Sequence, residues 1–102
     1  MKVIYAKQAL VALGASFAWL RQDGAGDLAR ERARRLAKLL KLLGEEHGIH
    51  PPLDTPQTPQ AAGYRKLVAA DHVVIYRVVD GRTPFVRVTG VFAPGRFIGK
   101  PR

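Results

Sequence analysis

The run HVVIYRVV, residues 72–79, sets an imidazole, a phenol and a guanidinium among aliphatic side chains. Imidazoles and phenols move protons, and a guanidinium holds a phosphate or a developing negative charge. Scission of a phosphodiester would ask for that combination, provided the groups converge. On a strand they do not, because alternate residues point to opposite faces. His72, Val74, Tyr76 and Val78 fall on one side; Val73, Ile75, Arg77 and Val79 fall on the other. At ~3.3 Å per residue, His72 and Tyr76 stand about 13 Å apart, beyond direct proton exchange. An isolated buried charge is very costly, so the Arg77 face is assigned to the open side and the Tyr76 face to the core. By the same alternation Val86 and Val88 point inward, with Phe85, Arg87 and Thr89 outward. Tyr64 falls where the sheet begins. No acidic pair, nucleophile elbow or glycine-rich phosphate loop occurs. His47 and His50 invite a metal, but two histidines without a third ligand make a weak site, and there is no cysteine. The expectation is therefore no metal and no cofactor, with Val73 and Ile75 beside Arg77 and Arg87 as an apolar strip with basic margins.

These residues need a sheet and something to cover one face of it. KVIY (2–5) reads as a first strand. Leu10, Leu13, Phe17 and Leu20 recur at i, i+3, i+7 and i+10, a helical stripe, and Gly14 within it would mark a close helix contact. DGAG (23–26) breaks the chain, and Asp27 is the expected N-cap of a second helix ending near Gly44. Ala29, Ala33, Leu36, Leu40 and Leu43 form its apolar face; Arg30, Arg34, Lys38 and Lys41 gather into a basic stripe. The proline-rich segment 47–60 has no periodicity and reads as a crossing loop. Strands follow at roughly 63–69, 72–79 and 85–92, with DGRTP joining the last two. The expected fold is α+β in a single domain, 1–102: a strand, an antiparallel helical hairpin, then three strands of a small, mainly antiparallel sheet.

With 102 residues, 47% of them hydrophobic, the chain supports one modest core. Its net charge is +9 and uneven. Residues 27–44 carry six basic and two acidic side chains, residues 45–64 carry three acids and no Lys or Arg, and after Asp80 there are five basic residues and no acid. Such a balance attracts nucleic acid, weakly and without sequence preference, or an acidic protein. No apolar run approaches the ~20 residues that span a bilayer, and the basic-then-apolar start has helical spacing rather than a leader's cleavage pattern. A cytoplasmic protein is expected, without a membrane.

The order of elements, together with AGYRKL…HVVIYRVVDG…FVRVTGVF, resembles the ParE/RelE superfamily of toxins from bacterial type II toxin–antitoxin modules. MKVIYAKQALVAL is similar to that family's opening. RelE-like members cleave mRNA in the ribosome, and ParE-like members inhibit DNA gyrase. RelE-like members commonly have an arginine three residues before the strand tyrosine, where this chain has Val73. They also tend to end on a basic cluster and a tyrosine, where this chain reads VFAPGRFIGKPR. HVVIY looks more like the ParE-like strand, although the histidine often found near FAPGRF is missing. The resemblance therefore implies a ParE-like toxin, of the kind tied to plasmid stabilisation, neutralised by a cognate acidic antitoxin and existing as a homodimer or a hetero-oligomer with it.

On that reading Arg87, Arg96, Phe97 and Lys100 contact gyrase, and Val73, Ile75, Arg77, Leu13 and Phe17 contact the antitoxin. The alternative is a ribosome-dependent mRNA interferase with Arg65, Arg77, Arg87 and Arg96 on phosphates. A further alternative is a non-toxic basic binding module on the same fold.

Overall fold

In the computed structural model, residues 1–22, 26–54, 57 and 59–92 are described. Strand β1 (Lys2–Tyr5) leads into helix α1 (Lys7–Gln22) and helix α2 (Asp27–Glu46). After a connection containing two short 3₁₀ turns come β2 (Tyr64–Ala69), β3 (His72–Val79) and β4 (Phe85–Phe92). The sheet order is β1-β4-β3-β2. β1 lies parallel to β4, and the β2–β3 and β3–β4 pairs are antiparallel. Both helices pack on one face and on one another. The α+β architecture and the element order agree with the sequence reading.

The core lies between the helices and that face. Leu36, Leu40 and Leu43 of α2 meet Leu67, Val74, Tyr76, Val86, Val88 and Val91 of the sheet, joined by Ala6 and Ala9. Among the described side chains of α1 the buried positions are small, Ala9 and Ser16, with Leu13 and Phe17 half-buried beside them. Leu10, expected on the apolar stripe, is 57% exposed. The inward stripe is Ala6, Ala9, Leu13, Ser16 and Phe17, at i, i+3, i+7, i+10 and i+11, so Leu10 falls beside it and points outward. The side chains of Leu20 and Ala29 lie outside the described residues.

The close contact expected at Gly14 is found at Gly44 instead. A Cβ added at Gly14 would meet nothing within 4 Å, so no close contact fixes it. Helix α2 ends at Glu46, near Gly44 as expected, and Gly44 itself is buried: a Cβ there would run into the carbonyl oxygen of Met1 and come within 3.3 Å of Val3 Cγ2. At the other end of α2, Gly26 (φ 59°) is the cap residue, and Asp27, expected there, is already helical. Its carboxylate lies 3.6 Å from the Arg30 guanidinium in the first turn, where the helix dipole favours an acid.

The register of β4 shifts between Ile75 and Tyr76 of its partner: Tyr76 faces Val88, and Ile75 faces Gly90. Thr89 is the extra residue of this bulge, and its hydroxyl donates to the Ile75 carbonyl at 3.3 Å. The bulge resets the alternation. Val86 and Val88 point inward as expected, and then Val91, rather than Gly90, is the next buried side chain.

Candidate functional site

Tyr76 and His72 both turn into the core, each with no exposed surface. The imidazole Nδ1 of His72 lies 2.8 Å from the Ala70 carbonyl. Tyr76 donates its hydroxyl hydrogen to the His47 carbonyl, tying the segment after α2 to the centre of the sheet. Burial pushes the phenol up to about 12, with a smaller opposing pull from Arg65. The His50 ring meets the Tyr76 ring edge-on, centroids 6.1 Å apart at 87°. Desolvation holds the His50 imidazole below its ordinary value; Arg65 adds to this and Glu46 opposes it.

Arg65 belongs to this inner group. It pairs across the ladder with Tyr76 and donates from its guanidinium to the His50 carbonyl at 2.6 Å. It therefore lies on the opposite face from Arg77 and Arg87, so these three of the arginines named for phosphate contact do not share one face. Arg96, Phe97 and Lys100 lie outside the described residues. His47 and His50 take part as a carbonyl acceptor and as an aromatic edge. Among the described residues no group of three His, Cys, Asp or Glu is placed to hold a metal ion.

Inside an outer row of Val79, Phe85 and Lys2, the other face carries three more cross-strand rows. Tyr64, Arg77, Arg87 and Ile4 follow one another across all four strands. Lys66, Ile75 and Gly90 form the second row, and Val68, Val73 and Phe92 the third. Among the described residues no helix lies over this face. Arg77 is exposed, Val73, Ile75, Phe85 and Arg87 are half-buried, and Val68, Phe92 and Ile4 stand 58%, 37% and 37% exposed. The Arg77 guanidinium sits 5.7 Å from the centre of the Tyr64 ring. Tyr64 thus stands on the open face beside the arginines, a placement the sequence reading missed; its register opposite Arg77 was the available signal. At the far end a Cβ on Gly90 would lie 2.9 Å from Phe92 Cε2, so the ring folds back over the glycine.

A second exposed surface runs along α1, where a shallow groove is lined by Lys7, Gln8, Val11, Ala12 and Ala15. Leu10 and Val11, 57% and 67% exposed, project from the same helix. Leu13 and Phe17 pack partly against the core behind them.

No protein-family model and no curated protein sequence matches the chain. Solved structures do. A chain of the chromosomal ParDE TA system from P. aeruginosa superposes with a TM-score of 0.63 at 16% identity, covering 92% of this chain and 96% of that one. The YoeB/ParE toxin from Agrobacterium tumefaciens superposes with a TM-score of 0.59 at 18% identity, covering 91% and 98%. The chain has the ParE/RelE toxin fold along nearly its whole length.

Proposed function

We propose that this chain is the toxin of a type II toxin–antitoxin module. In this reading it acts in a ParE-like way, by binding DNA gyrase in the cytoplasm, and is neutralised by an acidic antitoxin. The observation that carries the reading is the open face of the sheet, where an apolar strip of Val73, Ile75 and Val68 is bordered by Arg77, Arg87 and Lys66. It offers contact area and positive charge, while His72 and Tyr76 are committed to the core. The apolar groove on α1, with Leu10 and Val11, extends the surface that an amphipathic antitoxin segment would cover. The test is inhibition of gyrase supercoiling by the purified chain, alongside cleavage of message on programmed ribosomes. Inhibition without cleavage is expected. Truncation after Phe92, which keeps β4 whole, removes Arg96, Phe97 and Lys100 and should abolish inhibition while antitoxin binding persists.

One observation favours the mRNA interferase as a second reading. Tyr64 brings a phenol to the open face beside Arg77, with Arg87 next in the same row. Codon-positioned cuts that disappear on Tyr64→Phe and on Arg77→Ala would establish that chemistry in place of gyrase binding.

A further inference from the structure

The side of α2 turned away from the sheet is a cationic ridge. Arg30, Arg34, Arg35, Lys38 and Lys41 are all exposed, while Leu36, Leu40 and Leu43 on the reverse are buried in the core. From Arg30 to Lys41 the ridge runs about 16 Å at ~1.5 Å per residue. Successive members at i, i+4, i+8 and i+11 stand about 4.5–6 Å apart along the axis. Arg34, Arg35 and Lys38, with Glu31 beside them, line a shallow depression in it.

We infer that this ridge binds the sugar–phosphate backbone of a nucleic-acid duplex, and does so independently of the gyrase and antitoxin surfaces proposed above. Charge complementarity selects the occupant. Five basic side chains form a line that matches a line of phosphates, with Glu31 within it and Asp27 and Glu45 at its two ends, Asp27 against Arg30. A protein partner would want aromatic or aliphatic anchors in the middle of the contact, and between Arg30 and Lys41 the exposed uncharged residue is Ala37. A single strand would want aromatic rings for its bases, and the ridge has none. A membrane surface would need the apolar side of α2, which is spent on the core. What remains is contact to phosphates without base reading, which fixes position and carries no sequence information. The sheet's open face holds its own basic residues, so net charge alone does not locate the site; the ridge is assigned by its length, regularity and lack of anchors.

The experiment compares two charge-matched double variants of the full chain on a fluorescent random-sequence DNA duplex. Arg34→Gln with Lys38→Gln and Arg77→Gln with Arg87→Gln each lower the net charge by two. The parent chain should bind with a dissociation constant of roughly 10⁻⁶–10⁻⁴ M and a log–log salt slope of about −3 to −4, the mark of some four phosphates. The ridge pair should lose at least about tenfold in affinity at ~50 mM salt and about 1.8 from the slope; the sheet pair should change little. A second ridge pair, Arg30→Gln with Lys41→Gln, should repeat the result, which guards against misfolding of the first. Duplex RNA should compete about equally with duplex DNA, and single-stranded DNA and an acidic peptide less well. Equal losses in the two charge-matched pairs, a larger loss in the sheet pair, preferential competition by the acidic peptide, or no binding at low salt would each overturn the assignment.

Discussion

Arg77 of β3 stands directly opposite Arg87 of β4 on the face that no described helix covers. Like charges directly opposed across a ladder are destabilising by some tenths of a kcal/mol, up to about 1. The Arg77 guanidinium leans toward Tyr64 on its other side, which offsets part of the repulsion. Arg87→Glu should therefore raise stability by about 0.3–1 kcal/mol, seen as a higher melting temperature. The same change should weaken binding to the proposed target, because the pair supplies the positive margin of the open face. A fall in stability would mean the two side chains do not feel one another.

Val73 lies between Val68 and Phe92 in the third row of that face and is half-buried. Val73→Glu places a negative charge where an acidic antitoxin segment is proposed to lie. Affinity for the antitoxin should drop by at least about tenfold, while stability should change by less than about 1 kcal/mol, as at most partly exposed positions. Calorimetric titration with the antitoxin and thermal melting of the free chain separate the two effects. Unchanged antitoxin affinity would move the interface off the open face.

Gly14 and Gly44 both sit inside helices, and helix propensity alone would favour alanine at each by about 1 kcal/mol. The structure splits them. Gly14 is exposed with open space around its missing side chain, so Gly14→Ala should stabilise by roughly that amount. At Gly44 a methyl group would meet the backbone of Met1, which cannot move without carrying β1 away from α2. Gly44→Ala should destabilise by about 1–3 kcal/mol. Urea melts of the two variants, shifted in opposite directions, check the pair together.

The strands were the most legible part of the sequence. β3 and β4 have the bounds that alternation gave them, and the rule that a lone arginine avoids the core oriented the sheet correctly. What escaped was set by tertiary distance. The N-terminal segment needs a glycine on α2 to approach, and nothing local distinguishes that glycine from a helix stop. Leu10 looks like a core residue by spacing, yet the stripe that faces the core starts from Ala6 and Ala9 and leaves it outside. In sequence, Tyr64 falls only at the start of the sheet and Arg65 has no assigned face; pairing with Arg77 and Tyr76 assigns the first to the open side and the second to the inner one. The Thr89 bulge leaves no mark beyond Gly90, a residue with several possible meanings.

The β2–β3 hairpin turns on Ala70 and Asp71, both with positive φ, 52° and 62°. Two left-handed residues in a two-residue loop are the pattern of a type I′ turn, which prefers Asn-Gly because most side chains resist that backbone. Replacing the pair together, Ala70→Asn with Asp71→Gly, should stabilise by about 1 kcal/mol. For a domain of this size that is a rise of roughly 4–8 °C in melting temperature. His72 bonds the carbonyl at 70, a main-chain group the substitutions retain, so the gain is read on an otherwise unchanged turn. No gain, or a loss, would show that the alanine and aspartate side chains make contacts worth more than the strain.

Tyr76 links the core to the His47 carbonyl and gives the fold an alkaline limit. Its phenol is pushed up to about 12 by burial, against about 10 for tyrosine in an unfolded chain. Between those values the unfolded chain has released the proton and the folded chain still holds it. Stability from this group is therefore complete below pH ~10 and declines as pH rises through about 12. Burial also raises Tyr5, so a tyrosine titration of the parent chain mixes two delayed ionisations. Tyr76→Phe isolates one of them. It should cost about 1 kcal/mol near neutrality, where the His47 carbonyl loses its donor, and should flatten the fall in stability above pH ~10. Phenolate absorbance and far-ultraviolet circular dichroism followed on one sample give the decisive comparison. In the parent chain the delayed phenolate signal that Tyr76→Phe removes should appear together with unfolding. Its appearance near pH 10 with the sheet still intact would mean that Tyr76 is wet, and that the tie to His47 is open in solution.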